Sequence, residues 1–159
     1  TTCSMRGKKG VVRAMNAMVV QEGSIRMVIS PLRPSLAGPI SIPQYVADNT
    51  KIMTCLNGTY SESHIQNGDY GILIRYPCMW SGGSQPVKIQ VSANDGGDNG
   101  QWDVKSSMKL SLPMCGPFAG NYDGDEMSLF IVRDPKPIDE CKVFSWPNQD
   151  WSPRSKVYR

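Results

Sequence analysis

Glycine and proline are frequent enough in this sequence to leave little room for long helices. The 159 residues include 15 glycines and 12 prolines, and both residue types favour turns and end regular elements. Short strands joined by turns are the structures that tolerate such spacing best. A chain of this length suits a single domain, and it is long enough to bury a core of its own.

Apolar and polar residues alternate in several short segments, as they do in half-buried strands. The segments with strand character are 24–30, 70–75, 87–91, 108–112 and 127–132. In the first of them Ile25, Met27 and Ile29 fall on one face, whereas the last is almost continuously apolar and is expected to be buried. A short helix is predicted within 44–53. These patterns together predict a mainly β protein organised as a small barrel.

Composition divides the chain into three parts. Residues 1–23 form an irregular basic arm, residues 24–133 carry the strand patterns of the barrel, and residues 134–159 are rich in proline. Proline cannot donate to a strand ladder and interrupts helices beyond their first turn. We therefore expect the third part to be an extended surface segment.

Positive charge is concentrated near the N-terminus. The first 35 residues contain six basic side chains against the single acid Glu22. The basic residues are Arg6, Lys8, Lys9, Arg13, Arg26 and Arg33. A solvated arm and a segment that contacts nucleic-acid phosphates both fit this pattern. The net charge of the whole chain, +3, is too small to demand a nucleic-acid partner.

Cysteine usage and hydropathy indicate the compartment. The five cysteines include no C-x-x-C pair, which argues against a structural zinc site and favours reduced thiols in an intracellular protein. The sequon Asn57-Gly58-Thr59 points the other way, toward a secreted protein. No apolar run approaches the length of a membrane span, and the first residues do not resemble a signal peptide.

The most informative stretch is a polar loop that precedes the last predicted strand. Asn121, Asp123 and Asp125 alternate in it, with Gly124 between the two acids. An acidic turn is one interpretation. The other is a cation site, since carboxylate and amide oxygens are the ligands that Mg²⁺ prefers. An EF-hand is excluded because the sixth position of the loop is Glu126 rather than glycine.

This loop resembles the active-site loop of the largest subunit (β′ in bacteria) of multisubunit DNA-dependent RNA polymerases. The family pattern is N-A-D-F-D-G-D, often followed by E-M, and residues 119–127 here read A-G-N-Y-D-G-D-E-M. Four further stretches, 6–13, 24–31, 42–47 and 67–79, resemble K-G-K-E-G-R-L-R, S-A-R-T-V-I-S-P, V-P-E-Y-V-A and D-G-D…R-Q-P-S-L of the same family. The five matches occur in the family's order and extend over residues 6–130.

The resemblance implies a fold, a set of partners and roles for individual residues. The implied fold is the double-psi β-barrel, and the implied partners are a second-largest-subunit homologue, the rest of the largest subunit, the DNA template and the RNA. Mg²⁺ is the implied cofactor for nucleotidyl transfer. By position in the motifs, Asp123 and Asp125 with Asn121 would be metal ligands and catalytic residues, Arg75 would bind the nucleotide, and Lys8, Lys9, Arg13 and Arg26 would face nucleic acid.

Several positions depart from the family pattern and keep other interpretations open. Asn121 stands where the motif has its first aspartate, which removes one of three negative charges. Ala119 and Trp80 stand where the family pattern has asparagine and histidine. One expectation is that the chain is the catalytic barrel of a split polymerase, such as a viral or plasmid polymerase divided into several chains. The other is that it is a degenerate barrel retained for nucleic-acid binding or assembly. A β-rich structural or secreted module unrelated to polymerases is the third interpretation. Any enzymatic activity is expected only within a complex.

Overall fold

The computed structural model describes residues 23–32, 40–56, 58–78, 81–92 and 107–145. The strands are β1 (Ser24–Pro31), β2 (Ile40–Pro43), β3 (Lys51–Leu56), β4 (Thr59–His64), β5 (Tyr70–Ile74), β6 (Ser84–Ser92), β7 (Met108–Leu110) and β8 (Glu126–Val132). The helices are α1 (Gln44–Asn49), α2 (Leu112–Phe118) and α3 (Pro135–Phe144). Six of the strands close into a barrel, so the predicted mainly β barrel is confirmed.

The barrel consists of two interlocked halves. Its strand order is β1-β7-β2-β6-β5-β8, with parallel pairing of β1 with β7 and of β2 with β6. The other neighbours are antiparallel. The first two strands of one half, β1 and β2, are separated by β7, and the first two strands of the other half, β6 and β7, are separated by β2. Each half thus places one strand between two strands of the other. The irregular basic arm lies outside the described residues.

Alternation along the strands fills the barrel interior. Ile25, Met27 and Ile29, predicted to share a face, are all buried. The interior also contains Ile40, Ile42, Leu73, Val87, Ile89, Met108, Leu110, Met127 and Leu129. Full burial of one such side chain stabilises a fold by roughly 1.5–3 kcal/mol, so this set supplies most of the driving force for closure.

The segment after β2 differs from its prediction. A helix does form there, but it ends at Asn49, where the backbone N–H and the hydroxyl of Thr50 both donate to the carbonyl oxygen of Val46. The chain then enters a hairpin of β3 and β4 that the sequence analysis did not predict. This hairpin is a two-stranded sheet outside the barrel, and Ile52 is buried on its inner side.

The ends of two later segments also differ from their predictions. β7 stops at Leu110, and Leu112 opens α2 rather than continuing the strand. β8 alternates instead of being buried throughout, with Met127 and Leu129 inside and Ser128 half-buried.

The expectation that the chain is extended after Asp134 is wrong for residues 135–144, which form α3. Its first turn contains two prolines, which have no backbone N–H. Their missing N–H groups cost no hydrogen bond, because the first N–H groups of a helix have no partner within it. α3 packs on β5 and β6, with Cys141 buried. Among the described residues, no helix has the length and apolar character that crossing a membrane requires.

Candidate functional site

The loop that carries the predicted metal ligands is fixed at both ends. α2 ends in a left-handed residue, Ala119, whose N–H donates to the carbonyl oxygen of Gly116 at 3.0 Å. At the other end, the carbonyl oxygen of Asp125 accepts from the N–H of Ile29 at 2.9 Å. Gly124 has a φ of +110°, a conformation that favours glycine. The loop therefore has little freedom to move its backbone relative to the barrel.

Tyr122 anchors the middle of the loop. Its hydroxyl donates to the carbonyl oxygen of Leu110 at 2.8 Å, and its ring packs against the core. Burial, together with a hydrogen bond to Cys115, raises the pKa of this hydroxyl, so that it stays neutral. The role of Tyr122 was not predicted from the sequence, although an aromatic residue between polar neighbours at i−1 and i+1 is a signal of an inward-facing position.

Arg75 and Asp125 meet although 50 residues separate them. Arg75 follows β5 and Asp125 precedes β8, and these antiparallel strands bring the two side chains to one end of the barrel. Arg75 Nε donates to Asp125 Oδ2 at 3.1 Å, and Nη2 donates to Oδ1 at 3.2 Å. The pair is half-buried, with 24% of the Arg75 side chain and 22% of the Asp125 side chain exposed. Both predicted site residues thus belong to a single cluster.

The environment of Asp125 favours its ionised form. The hydrogen bonds from Arg75 lower the pKa of this carboxyl, and the backbone N–H of Asn121, which donates to Oδ2 at 3.1 Å, lowers it further. Asp125 therefore carries its negative charge at neutral pH, and that charge is matched by the guanidinium.

Asn121 and Asp123 complete the cluster on its solvent side. The side-chain Nδ2 of Asn121 donates to Asp123 Oδ2 at 2.8 Å, and both residues are exposed. Asn121 thus bonds Asp123 through its side chain and Asp125 through its backbone. The predicted ligand positions lie on one loop and are linked by hydrogen bonds, and Asp123 is the more exposed of the two acids.

The stem of Arg75 lies directly against the loop. A Cβ atom added at Gly120 would be 3.2 Å from Met127 Cε and 3.5 Å from Arg75 Cδ. The absence of a side chain at Gly120 thus lets the loop approach Arg75 closely.

The residues predicted to face nucleic acid are only partly described. Arg26 lies on β1 with 66% of its side chain exposed, and its Nε donates to Glu126 Oε2 at 2.8 Å. Since Glu126 follows Asp125 directly, Arg26 borders the cluster on the outer face of the barrel. Lys8, Lys9, Arg13 and Trp80 lie outside the described residues.

The oxygen atoms of Asn121, Asp123 and Asp125 are the candidate ligands for Mg²⁺. Within the described part of the chain, no three His, Cys, Asp or Glu side chains are grouped so that they could hold a metal ion. The predicted set contains two acids and one amide, and Asp123 with the amide oxygen of Asn121 offers the oxygen ligands that Mg²⁺ prefers. Arg75 holds both oxygens of Asp125, and Asn121 faces Asp123 with its Nδ2, so the set suits Mg²⁺ by ligand type alone.

Comparison of the chain with protein-family models returned no match.

Proposed function

We propose that this chain is the catalytic barrel of a divergent, split DNA-dependent RNA polymerase, equivalent to part of the largest subunit and active in nucleotidyl transfer only within a multisubunit complex. The observation that supports the proposal best is the contact between Arg75 and Asp125. The sequence resemblance assigns these residues to nucleotide binding and metal binding, two roles that must be fulfilled at the same place. Nothing in their sequence separation requires them to be adjacent.

Each residue of the cluster has a definite task under this proposal. Mg²⁺, when bound, supplies charge neutralisation for the phosphoryl groups during transfer. Asp123, Asp125 and the amide oxygen of Asn121 would hold it. Arg75 would bind the nucleotide through hydrogen bonds from its planar guanidinium, and Tyr122 keeps the loop in place. The protein contributes positioning and electrostatics, which carry most of the catalysis in phosphoryl transfer.

The alternative, a degenerate barrel that retains only nucleic-acid or subunit contacts, is favoured by a different observation. Asn121 brings no charge, and the guanidinium of Arg75 already neutralises Asp125. The net charge of the cluster is therefore −1, which weakens its attraction for a divalent cation.

Substitution of Asp123 in the native complex distinguishes the two functions. In a catalytic barrel, Asp123→Asn should lower RNA synthesis by the complex roughly 10²–10³-fold, because a ligand of an essential cation contributes several kcal/mol. The matched control is Asp48→Asn, an exposed acid on α1. The register of β2 with β6 places α1 beyond the end of the barrel opposite Arg75. Unchanged synthesis with Asp123→Asn would contradict the proposal and favour the degenerate barrel.

The composition of the native complex provides a second test. Affinity purification of the tagged chain followed by mass spectrometry should recover a second-largest-subunit homologue and further parts of the largest subunit. Recovery of the chain with proteins unrelated to transcription would contradict the proposal.

A further inference from the structure

The paired strands β5 and β8 carry an arginine–aspartate ion pair at each end. Each strand is preceded by an aspartate and followed by an arginine, and the strands are antiparallel, with Tyr70 opposite Val132 and Ile74 opposite Ser128. At one end Arg75 bonds Asp125, and at the other Arg133 Nη1 donates to Asp69 Oδ1 at 2.8 Å. The second pair is buried to a similar degree, with 21% of Arg133 and 16% of Asp69 exposed.

The two ends are built alike in their backbone as well. Gly68 and Gly124, which precede the two aspartates, both have positive φ, at +96° and +110°. The carbonyl oxygen of each aspartate accepts from a buried isoleucine of a neighbouring strand: Ile89 donates to Asp69 at 2.7 Å in the same way that Ile29 donates to Asp125. This similarity makes the pair at Asp69 an internal reference for the pair at Asp125.

The pairs differ in what else their arginines bind. Arg133 also donates from Nη2 to the carbonyl oxygen of His64 at 2.6 Å, while its buried Nε has no hydrogen-bond partner among the described residues. A guanidinium held in this way cannot leave without losing a backbone acceptor. The hydrogen bonds of Arg75 to described side chains end on Asp125 alone. Two residues before Asp125 stands the exposed carboxylate of Asp123, whereas the matching position before Asp69 is the uncharged amide Asn67, whose Oδ1 accepts from the N–H of Val91 at 3.3 Å.

From this difference we infer that Arg75 is an exchangeable counter-ion of Asp125: it occupies the carboxylate in the absence of a divalent cation and is released to bind the phosphates or ribose of a nucleotide when the cation takes its place. The inference rests on the proposed function and adds that the cation binds Asp125 first, which releases Arg75 to bind the nucleotide. Arg133 is its fixed structural equivalent.

The exchange follows because the two oxygens of Asp125 cannot bind the guanidinium of Arg75 and a divalent cation at the same time. The two oxygens of Asp125 accept from Nε and Nη2 of Arg75, and a cation bound to the same oxygens would be repelled by the guanidinium at this distance. Once displaced, the half-buried guanidinium needs a new acceptor, which the phosphates of a nucleotide supply with matching geometry. Cation and nucleotide then increase each other's affinity, because coupling between two sites is reciprocal.

Divalent-cation binding to the full chain tests the inference without an activity assay. Mn²⁺ affinity is measured by calorimetry for the wild-type chain, for Arg75→Gln and for the matched control Arg133→Gln. Removal of the competing charge should tighten Mn²⁺ binding roughly 5–10-fold in Arg75→Gln, and the control should stay within about twofold of wild type. Arg75→Lys, which keeps the charge but loses the planar fork, should lie between them.

A second readout follows the two arginines directly. In an NMR titration of the ¹⁵N-labelled chain with Mg²⁺, the Nε–H signal of Arg75 should shift and exchange faster with water, while that of Arg133 stays unchanged. This measurement requires no variant, so it remains valid if Arg75→Gln fails to fold.

The outcomes separate the inference from the proposed function. Binding of Mn²⁺ that is equally tight in wild type and Arg75→Gln, or Mg²⁺ binding that leaves the Arg75 signal unchanged, would overturn the exchange and leave the metal site standing. Equal tightening by Arg133→Gln would also overturn it, since the effect would then be one of overall charge. Absence of binding in wild type, Arg75→Gln and Asn121→Asp alike would overturn both the exchange and the proposed catalytic site.

Discussion

Arg133 and Asp69, 64 residues apart, close the end of the β5–β8 pair opposite the candidate site. Asp69 accepts from Arg133 on Oδ1 and from the backbone N–H of Gln66 on Oδ2, both at 2.7–2.8 Å. Arg133 in turn bonds the carbonyl oxygen of His64, at the end of the β3–β4 hairpin. One ion pair therefore joins the barrel, the turn before β5 and the hairpin.

Loss of this ion pair should destabilise the whole chain. Asp69→Asn leaves the guanidinium of Arg133 half-buried with only its backbone acceptor, and hydrogen bonds to charged groups contribute about 1.5–3 kcal/mol each. We expect a loss of about 2 kcal/mol in the free energy of unfolding, measured with urea. Asp139→Asn removes an exposed acid that pairs with Lys142 on α3, and it should change stability by less than about 0.5 kcal/mol. Equal effects of the two substitutions would contradict the structural role.

Acid should weaken the protein through Asp125. Its folded-state pKa lies below the ordinary value of 3.8, so the unfolded chain takes up the proton first as the pH falls. The stability contributed by the ion pair is therefore fully present above the unfolded pKa and is lost as the pH drops through the folded one. Urea unfolding between pH 6 and pH 2 should show a shallower acid loss for Asp125→Asn than for wild type. Arg75→Gln should flatten the profile in the same direction, and superimposable profiles would refute the assignment.

Gln85 is a polar residue in the barrel interior whose replacement should cost little. Its Nε2 donates to the carbonyl oxygen of Gly82 at 2.7 Å, but its Oε1 is buried with no hydrogen-bond partner. Gln85→Met removes this desolvated oxygen at similar volume, so stability should change by less than about 1 kcal/mol despite the lost hydrogen bond. Leu73→Ala, at the position opposite Gln85 in the ladder, should cost about 2–5 kcal/mol because it leaves a cavity. A loss as large for Gln85→Met would show that Oε1 has a partner in solution, such as water.

Two glycines should respond to alanine to different degrees. At Gly71 an added Cβ would lie 2.8 Å from the carbonyl oxygen of Phe130, which is backbone and cannot easily yield. Gly71→Ala should therefore destabilise the barrel by roughly 1–3 kcal/mol. At Gly116 nothing beyond the neighbouring residues and the backbone of α2 lies within 4 Å of the added Cβ, but Pro117 follows, and proline disfavours a helical conformation in a preceding residue that has a Cβ. This opposes the gain in helix propensity, so Gly116→Ala should change stability by less than about 0.5 kcal/mol. Thermal unfolding of both variants checks the difference in size.

Divalent cations should raise the melting temperature if the loop binds them. A ligand that binds only the folded state stabilises it by mass action, so millimolar Mg²⁺ or Mn²⁺ should shift the transition upward. Asn121→Asp restores a third negative charge and should enlarge the shift, whereas Asp123→Asn should abolish it. An unchanged transition in both wild type and Asn121→Asp would leave Asn121, Asp123 and Asp125 as an acidic turn.

The barrel interior was predictable from local sequence, because alternation alone identifies an inward face. Ile25, Met27 and Ile29 illustrate this, and Val87 and Ile89 do so in β6. The β3–β4 hairpin was missed although the Asn57-Gly58 dipeptide between two polar-apolar runs is a strong hairpin signal. α3 was missed because its prolines were interpreted as breakers of regular structure, although proline is compatible with the first turn of a helix.

The candidate site was predictable in its residues and not in its contacts. The motif indicated Asn121, Asp123 and Asp125, and a separate motif indicated Arg75. That Arg75 would bond Asp125 depends on the antiparallel pairing of β5 with β8, and no local pattern specifies which of six strands become neighbours. The equivalent pair of Asp69 and Arg133 was invisible for the same reason.

The interlocking of the two halves determines how the molecule can come apart. β7 lies between β1 and β2, and β2 lies between β6 and β7, so removal of either strand leaves neighbours on both sides with unpaired backbone groups. Unfolding of one half therefore takes strand neighbours from the other, and we expect the two halves to open together. Hydrogen exchange should report similar opening free energies for the most protected amides of the two halves. The loop that carries Asp123 is attached to this interlocked core through the hydrogen bond from Ile29 to Asp125.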